Sequence, residues 1–170
     1  PVYTVLVPMY REPEVADKIV SAVTALDYPQ GQLDVKLLLE EDDDLTRRRV
    51  TEIMETMPAC VEVIVCPAVP KGQPKTKPRA CNWGLARARG EYLVIYDAED
   101  RPEPDQLKKA VLAFRKLKAA GQSDRVVCLQ AKLNYFNSDQ NVLTRFFTLE
   151  YTNWFDLLLP GLHAFRTPLR

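Results

Sequence analysis

Tyr3-Thr4-Val5-Leu6-Val7-Pro8 is a β-branched run closed by proline, and from Glu14 to Leu26 apolar residues recur at positions 15, 19, 22, 23 and 26. The first period is that of a strand and the second that of an amphipathic helix. The same alternation repeats along the chain. Asp27-Tyr28-Pro29-Gln30-Gly31 is a turn cluster, and Val35-Lys36-Leu37-Leu38-Leu39 a second strand that runs into the acidic stretch Glu40 to Asp44. Val50, Ile53, Met54 and Met57 mark a short helix up to Pro58, Val61 to Val65 a third strand, and Lys71 to Pro78 a loop rich in proline and lysine. Helix is expected again from Arg79 to Arg89 with Gly90 as its cap, strand at 91–96, helix from Pro104 to Ala120 stopped by Gly121, and a last strand at Val126 to Leu129. Strands alternating with helices imply right-handed crossovers and a mostly parallel sheet covered on both sides. The expected fold is a three-layer, Rossmann-like α/β domain.

Composition narrows the functional classes. Of 170 residues, 46% are hydrophobic and 27% charged, enough for one domain with a sizeable core. Lys+Arg and Asp+Glu are both 23, so no global field draws in nucleic acid or an anionic membrane, and anion binding must be local. Cys60, Cys66, Cys81 and Cys128 are spaced neither as a zinc site nor as a disulfide scaffold, which points to reduced, mostly buried thiols and the cytosol or a cytosolic face. No signal-peptide pattern and no apolar run near the about 20 residues needed to cross a bilayer are present. The chain opens at Pro1 without an initiator methionine and is expected to be part of a longer one.

The chemistry concentrates where strands end. Tyr92-Leu93-Val94-Ile95-Tyr96 reads as a buried strand that stops at Asp97-Ala98-Glu99-Asp100. Three carboxylates in four residues suit a hard divalent cation, Mg²⁺ or Mn²⁺, beside a phosphorylated substrate. An acidic turn, with Glu103 and Asp105 in the first turn of the next helix, is the plainer reading. Ligands of open parallel sheets collect outside the carboxyl ends of the strands. Tyr10 and Glu12, Glu41 and Asp42, and Asp97, Glu99 and Asp100 all fall at such ends, so the three clusters are expected to share one crevice.

Four blocks in order, Val7-Pro8-Met9-Tyr10-Arg11-Glu12, Leu39-Glu40-Glu41-Asp42-Asp43, Lys77-Pro78-Arg79-Ala80-Cys81-Asn82-Trp83-Gly84-Leu85 and Tyr96-Asp97-Ala98-Glu99-Asp100, resemble the family 2 glycosyltransferases. The likeness runs over roughly residues 3 to 160 and is strongest to the processive, membrane-associated branch with cellulose synthase-like and poly-N-acetylglucosamine synthase-like enzymes. The resemblance implies a GT-A type fold and a UDP-sugar donor. Tyr10 and Glu12 would lie near the uridine, Asp42 or its neighbour Glu41 would bind the uracil, and Lys77 would stand near the diphosphate. Asp97-Ala98-Glu99 matches the family's D-x-D with Glu in third place: Asp97 would contact the ribose or the metal, Glu99 would ligate Mg²⁺ or Mn²⁺, and Asp100 is an alternative ligand.

The general base of an inverting transfer lies, in that family, in a T-E-D-like block that these residues lack, as they lack the Q-x-x-R-W block. The base is therefore expected beyond Arg170, and the isolated chain is expected to be inactive. Glu150 and Asp156 read as the polar side of an amphipathic helical segment spanning 144–165, rich in aromatic residues, which would lie against a membrane interface or pack inside the full protein. Gln130 could face the acceptor side, and Trp83 is expected in the core. The full-length protein is expected to be membrane-embedded through segments outside this chain, at the cytoplasmic face, with a saccharide or lipid-linked acceptor and no nucleic-acid partner. Two other classes compete. A receiver-like phosphoacceptor module would use Glu41, Asp42 and Asp43 around Mg²⁺, and a nucleotidyltransferase would need a glycine-rich loop, where this chain has only the isolated Gly72 and Gly90.

Overall fold

The computed structural model describes residues 1–70, 72–122, 126–133 and 135–165; Lys71 of the lysine-rich loop lies outside them. The chain forms two compact units, Pro1–Ser123 and Asp124–Arg170. In the first, strands β1 (Tyr3–Met9), β2 (Leu33–Glu40), β3 (Val61–Cys66) and β4 (Tyr92–Ile95) alternate with helices α1 (Ala16–Thr24), α2 (Asp44–Ile53), α3 (Lys77–Leu85) and α4 (Gln106–Ala119). All strand pairs are parallel and the order is β3-β2-β1-β4. The chain therefore steps outward from β1 to β3, then crosses back through α3 to the far side of β1.

The pleat divides the apolar residues between two layers. Tyr3, Val5, Val7 and Met9 of β1 and Leu33, Val35, Leu37 and Leu39 of β2 face Ile19 and Val23 of α1, Val50 of α2, and Leu107 and Val111 of α4. On the other side Leu6, Leu38, Ile64 and Cys66 meet Ala80 and Cys81 of α3. Helices on both sides of a parallel sheet make the three-layer α/β architecture. β1 and β2 are buried on both faces because both faces are covered, although the side under α3 also carries Thr4, Asp34, Lys36 and Glu40.

α3 lies close to the sheet because it carries Gly84. A Cβ there would come within 2.9 Å of Leu6 and Leu38 side-chain carbons. Gly90 is a second close approach. It does not cap α3, which ends at Leu85; a Cβ on it would meet the Thr4 backbone nitrogen at 2.5 Å, and its own N–H donates to the Thr4 hydroxyl. That hydroxyl donates in turn to Asp34, which is fully buried and also accepts from the Arg89 backbone and side chain. Lys36, equally buried, is paired with Asp34 at 2.9 Å and with Glu62. This polar network closes the face under α3 at the end opposite the strand C-termini. Burial by itself would raise the Asp34 carboxyl; the hydrogen bonds from Lys36, the Arg89 backbone, Thr4 and the Arg89 side chain outweigh it and hold the group at about 2.

Several expectations are corrected. Val126 to Leu129 form no strand: the run is too short to pay for pairing alone, and Val127 is 87% exposed. β4 is an edge strand of the sheet, with Leu93 and Ile95 exposed on the side away from α4. Helix α3 starts at Lys77, where Pro78 suits the first turn, so Asn82 and Trp83 sit in its middle, and Trp83 is 38% exposed instead of core. Glu103 and Asp105 precede α4 and pair with Lys109. Cys66 and Cys81 are buried, but Cys128 is exposed.

In the second unit, α5 (Val142–Thr152) opens with Asn141 in a reciprocal cap with Thr144, continues through a π-helical stretch at Asn153–Leu158, and ends in α6 (Leu159–Ala164). Tyr135 packs against Phe147 and Tyr151, and Lys132 pairs with Asp156. No described residue from 126 to 165 is buried. Among the described residues no helix is long and apolar enough to cross a membrane.

Candidate functional site

Because every strand of the sheet is parallel, the segments after β1, β2 and β4 emerge at one edge. Asp43 ties the first two together. It is the N-cap of α2, accepting from the Thr46 backbone at 3.2 Å, and its other oxygen accepts from the Arg11 backbone, which adopts a left-handed φ of 58°. The Glu12 N–H donates to the Thr46 hydroxyl at 3.1 Å. Burial of Asp43 works against its charge, yet the Thr46 hydroxyl and the Arg11 and Thr46 backbone donors keep its carboxyl below the usual range. Sequence reading assigned Asp43 a place only in the receiver-like module and did not show it as the cap that holds the Arg11 loop. Its signal was an Asp three residues before Thr46 at the start of a helix.

That clamp presents Tyr10, which is 36% exposed. Lys75, from the loop between β3 and α3, holds its ammonium 4.2 Å from the Tyr10 ring centroid, and the Arg11 guanidinium carbon lies 5.1 Å from it. Lys75 is also paired with Asp42, and this hydrogen bond lowers the Asp42 carboxyl. An open cavity of about 440 Å³ beside this group is lined by Arg11, Pro13, Glu14, Asp42 and Asp43. Glu41, by contrast, is committed to structure: its carboxylate accepts from the Ala68 backbone at 2.8 Å and its carbonyl from Arg47 at 2.9 Å. Of the two neighbours, Asp42 is the one beside Tyr10.

The third cluster follows β4. Its ladder with β1 stops at Ile95 opposite Leu6, so the 96–100 segment leaves the sheet while β1 continues. Tyr96 and Ala98 are buried, while Asp97 and Glu99 are exposed. Asp100 folds back and accepts from the Asp97 N–H at 2.8 Å. Lys77, at the first turn of α3, is paired with Asp97, so two residues far apart in sequence meet. Arg79 steadies the same helix start by reaching the buried Glu40 at 3.5 Å and the Ala68 carbonyl at 3.5 Å.

Electrostatics join the first and third clusters. Burial, then the charge of Glu99, raises the Glu12 carboxyl, with Lys77 acting the other way. Burial, then Glu99, raises Asp100 as well, again opposed by Lys77. Glu12, Glu99, Asp100, Asp97 and Lys77 thus share one field. Among the described residues no three acidic, His or Cys side chains form a ready-made metal cage. Such a cage is not what Mg²⁺ or Mn²⁺ requires beside a diphosphate, where one or two carboxylates, substrate oxygens and water suffice. Gln130 lies in the second unit, exposed, its side-chain amide donating to the Ala131 carbonyl.

A family model described as "Glycosyltransferase like family 2" matches residues 1–158. The chain belongs to the family 2 glycosyltransferases. Among curated relatives, the "Probable glycosyltransferase YdaM" of Bacillus subtilis (strain 168) is 28% identical over 150 residues, covering 88% of this chain and 34% of that protein. "Glucomannan 4-beta-mannosyltransferase 2" of Arabidopsis thaliana is 28% identical over 148 residues, covering 85% of this chain and 26% of its own length. The family 2 chain therefore spans about a third or less of these relatives. Among solved structures, the mannosyltransferase PcManGT from Pyrobaculum calidifontis, in complex with GDP-Man and Mn2+, superposes with a TM-score of 0.57 at 30% identity over 67% of this chain and 32% of that one. S. aureus TarS 1-349, in complex with UDP-GlcNAc, has a TM-score of 0.55 at 22% identity over 69% of this chain and 32% of the other, a likeness of fold. Membership of this family sets aside the receiver-like and nucleotidyltransferase readings.

Proposed function

We propose that this glycosyltransferase domain binds the nucleotide-sugar donor, a UDP-sugar, for an inverting transfer in polysaccharide or glycan synthesis. The observation that carries the reading is the Lys77–Asp97 pair, which brings the start of α3 against the end of β4 at the edge where Tyr10 and Asp42 also emerge. Mannosyltransferase PcManGT, which holds GDP-Man and Mn2+, supports a nucleotide-sugar donor and a divalent cation.

Each residue then has a task. Tyr10 offers the base an aromatic surface and Asp42 an acceptor for a ring N–H, with Glu12 and Glu41 flanking them. Lys77 places a positive charge where the diphosphate lies, relieving Asp97 as its partner. Asp97 and Glu99, with Asp100 as alternative, are the oxygen donors for Mg²⁺ or Mn²⁺, which when bound stabilises charge on the departing UDP. The proton of the acceptor hydroxyl needs a base within hydrogen-bonding reach, and that base is assigned to sequence beyond Arg170. Gln130 is assigned to the acceptor side, the acceptor being a saccharide or a lipid-linked sugar. The full-length protein, of the processive branch, would hold this domain at the cytoplasmic face of the membrane through segments outside the chain.

The test is a thermal-shift series. UDP with Mn²⁺ raises the melting temperature of the chain, while acetyl phosphate or CTP does not, because only a ligand that binds the folded state stabilises it. Lys77→Ala weakens UDP binding by about tenfold, the scale of one charge-assisted contact. A UDP complex in which residues 97–100 point away from Tyr10 and Asp42 would overturn the assignment.

A further inference from the structure

The two groups that the preceding reading offers to the base are already engaged, and by the same side chain. Lys75 lies over the Tyr10 ring, 4.2 Å from its centroid, and is paired with Asp42. We propose that Lys75 is an internal occupant of the nucleobase position, which an incoming nucleotide must displace. This inference rests on the nucleotide reading of Tyr10 and Asp42.

The argument is one of space and of pairing. A base stacked on Tyr10 would place its atoms in van der Waals contact with the ring, at about 3.5–4.0 Å. The ammonium occupies that layer, so base and ammonium cannot share the face. Asp42, the proposed acceptor for the base, already has a charged donor, which the base must replace or share. Hydrogen bonds to Asp42 and Tyr10 offset the cost of burying the Lys75 charge, so the side chain is favourably held in the absence of ligand. The other cation on this ring, Arg11, belongs to backbone fixed by Asp43, whereas Lys75 sits on a loop with no helix or strand of its own. Lys75 is therefore the group that leaves.

Its departure has a direction. Lys75 is two residues before Lys77, the side chain assigned to the diphosphate, so a displaced ammonium remains close to a second anion. A nucleoside without phosphates meets only the competition. A nucleoside diphosphate meets the competition and then regains the cation. The base of the donor thus releases a charge that the phosphates recover, which links recognition of one half of the donor to the binding of the other.

Uridine and UDP separate these effects when titrated against the 170-residue chain and its Lys75→Met variant. Uridine is expected to bind the variant roughly three- to tenfold tighter, the scale of one exposed cation–π contact with its ion pair. UDP is expected to gain less. Raising NaCl from about 50 to about 500 mM screens the Lys75–Asp42 pair and so strengthens uridine binding to the unaltered chain, but not to the variant. Lys75→Arg, which keeps the charge, retains the weaker uridine binding. An unchanged melting temperature confirms that the substitution leaves the fold intact. Uridine binding that is equal or weaker in Lys75→Met, with UDP still bound, overturns this proposal alone. Failure of the unaltered chain to bind either uridine or UDP overturns the nucleotide reading and this proposal with it.

Discussion

The sheet of the first unit and the helical stretch 142–164 of the second are both rich in apolar residues, yet only the sheet buries them. Val5, Leu6, Val7, Leu37, Leu38 and Leu39 are at most 2% exposed, whereas Phe146, Leu149, Trp154 and Leu157 range from 51% to 66%. The difference lies in what surrounds each element. Parallel strands arrive with their own helices, so a strand buried on both sides finds cover within about a hundred residues of sequence. A helical stretch that carries apolar side chains over more than one side needs neighbours on several sides. The first unit is thus a scaffold rigid enough to aim side chains, and the second is helical without a buried interior of its own.

Substitutions should separate the two regions sharply. The largest effect is expected from Leu38→Ala, which empties a site packed between β2 and α3 and should lower unfolding free energy by about 2–5 kcal/mol in urea titrations. If it costs no more than a surface change, the contrast fails. Next comes acid. Asp34 has a folded-state value of about 2 against 3.8 ordinarily, so its contribution is fully present above the unfolded value and is lost as pH falls from about 4 towards 2. The shift corresponds to about 2 kcal/mol, and Asp34→Asn should flatten the pH dependence of stability across that window.

Asp43→Ala should cost about 1–2 kcal/mol, by removing a helix cap and a buried acceptor together, and should weaken UDP binding through the loosened Tyr10–Glu12 loop. The smallest effect belongs to the second unit: Phe146→Ser should change stability by less than about 0.5 kcal/mol, since the side chain is already exposed. A cost above 2 kcal/mol, on the same titration, would mean that Phe146 is covered in solution.

How much of this was legible in the sequence depends on how local the cause was. All four strands of the sheet could be read from short β-branched and leucine runs, and the placement of Tyr10, Asp42 and Asp97 at strand ends followed from parallel connectivity. The strand expected at Val126–Leu129 was misread because a short apolar run carries no information about whether a pairing partner exists. Trp83 was assigned to the core by residue type, but α3 turns Ala80, Cys81 and Gly84 to the sheet and leaves Trp83 exposed. Gly90 was taken for a cap when its real constraint is Thr4, 86 positions away. The pairings of Lys77 with Asp97 and of Lys75 with Asp42 are likewise products of the crossover through α3, invisible to any reading of neighbours along the chain.

Gly84 carries a consequence for the proposed donor cleft. It lies two helical turns from Lys77 on the same short rod, and the missing side chain lets that rod settle onto Leu6 and Leu38. A single methyl at this point would act as a wedge, tilting the rod and drawing the lysine back from the carboxylate it meets. The gauge of the opening is set from behind, by an atom that is not there.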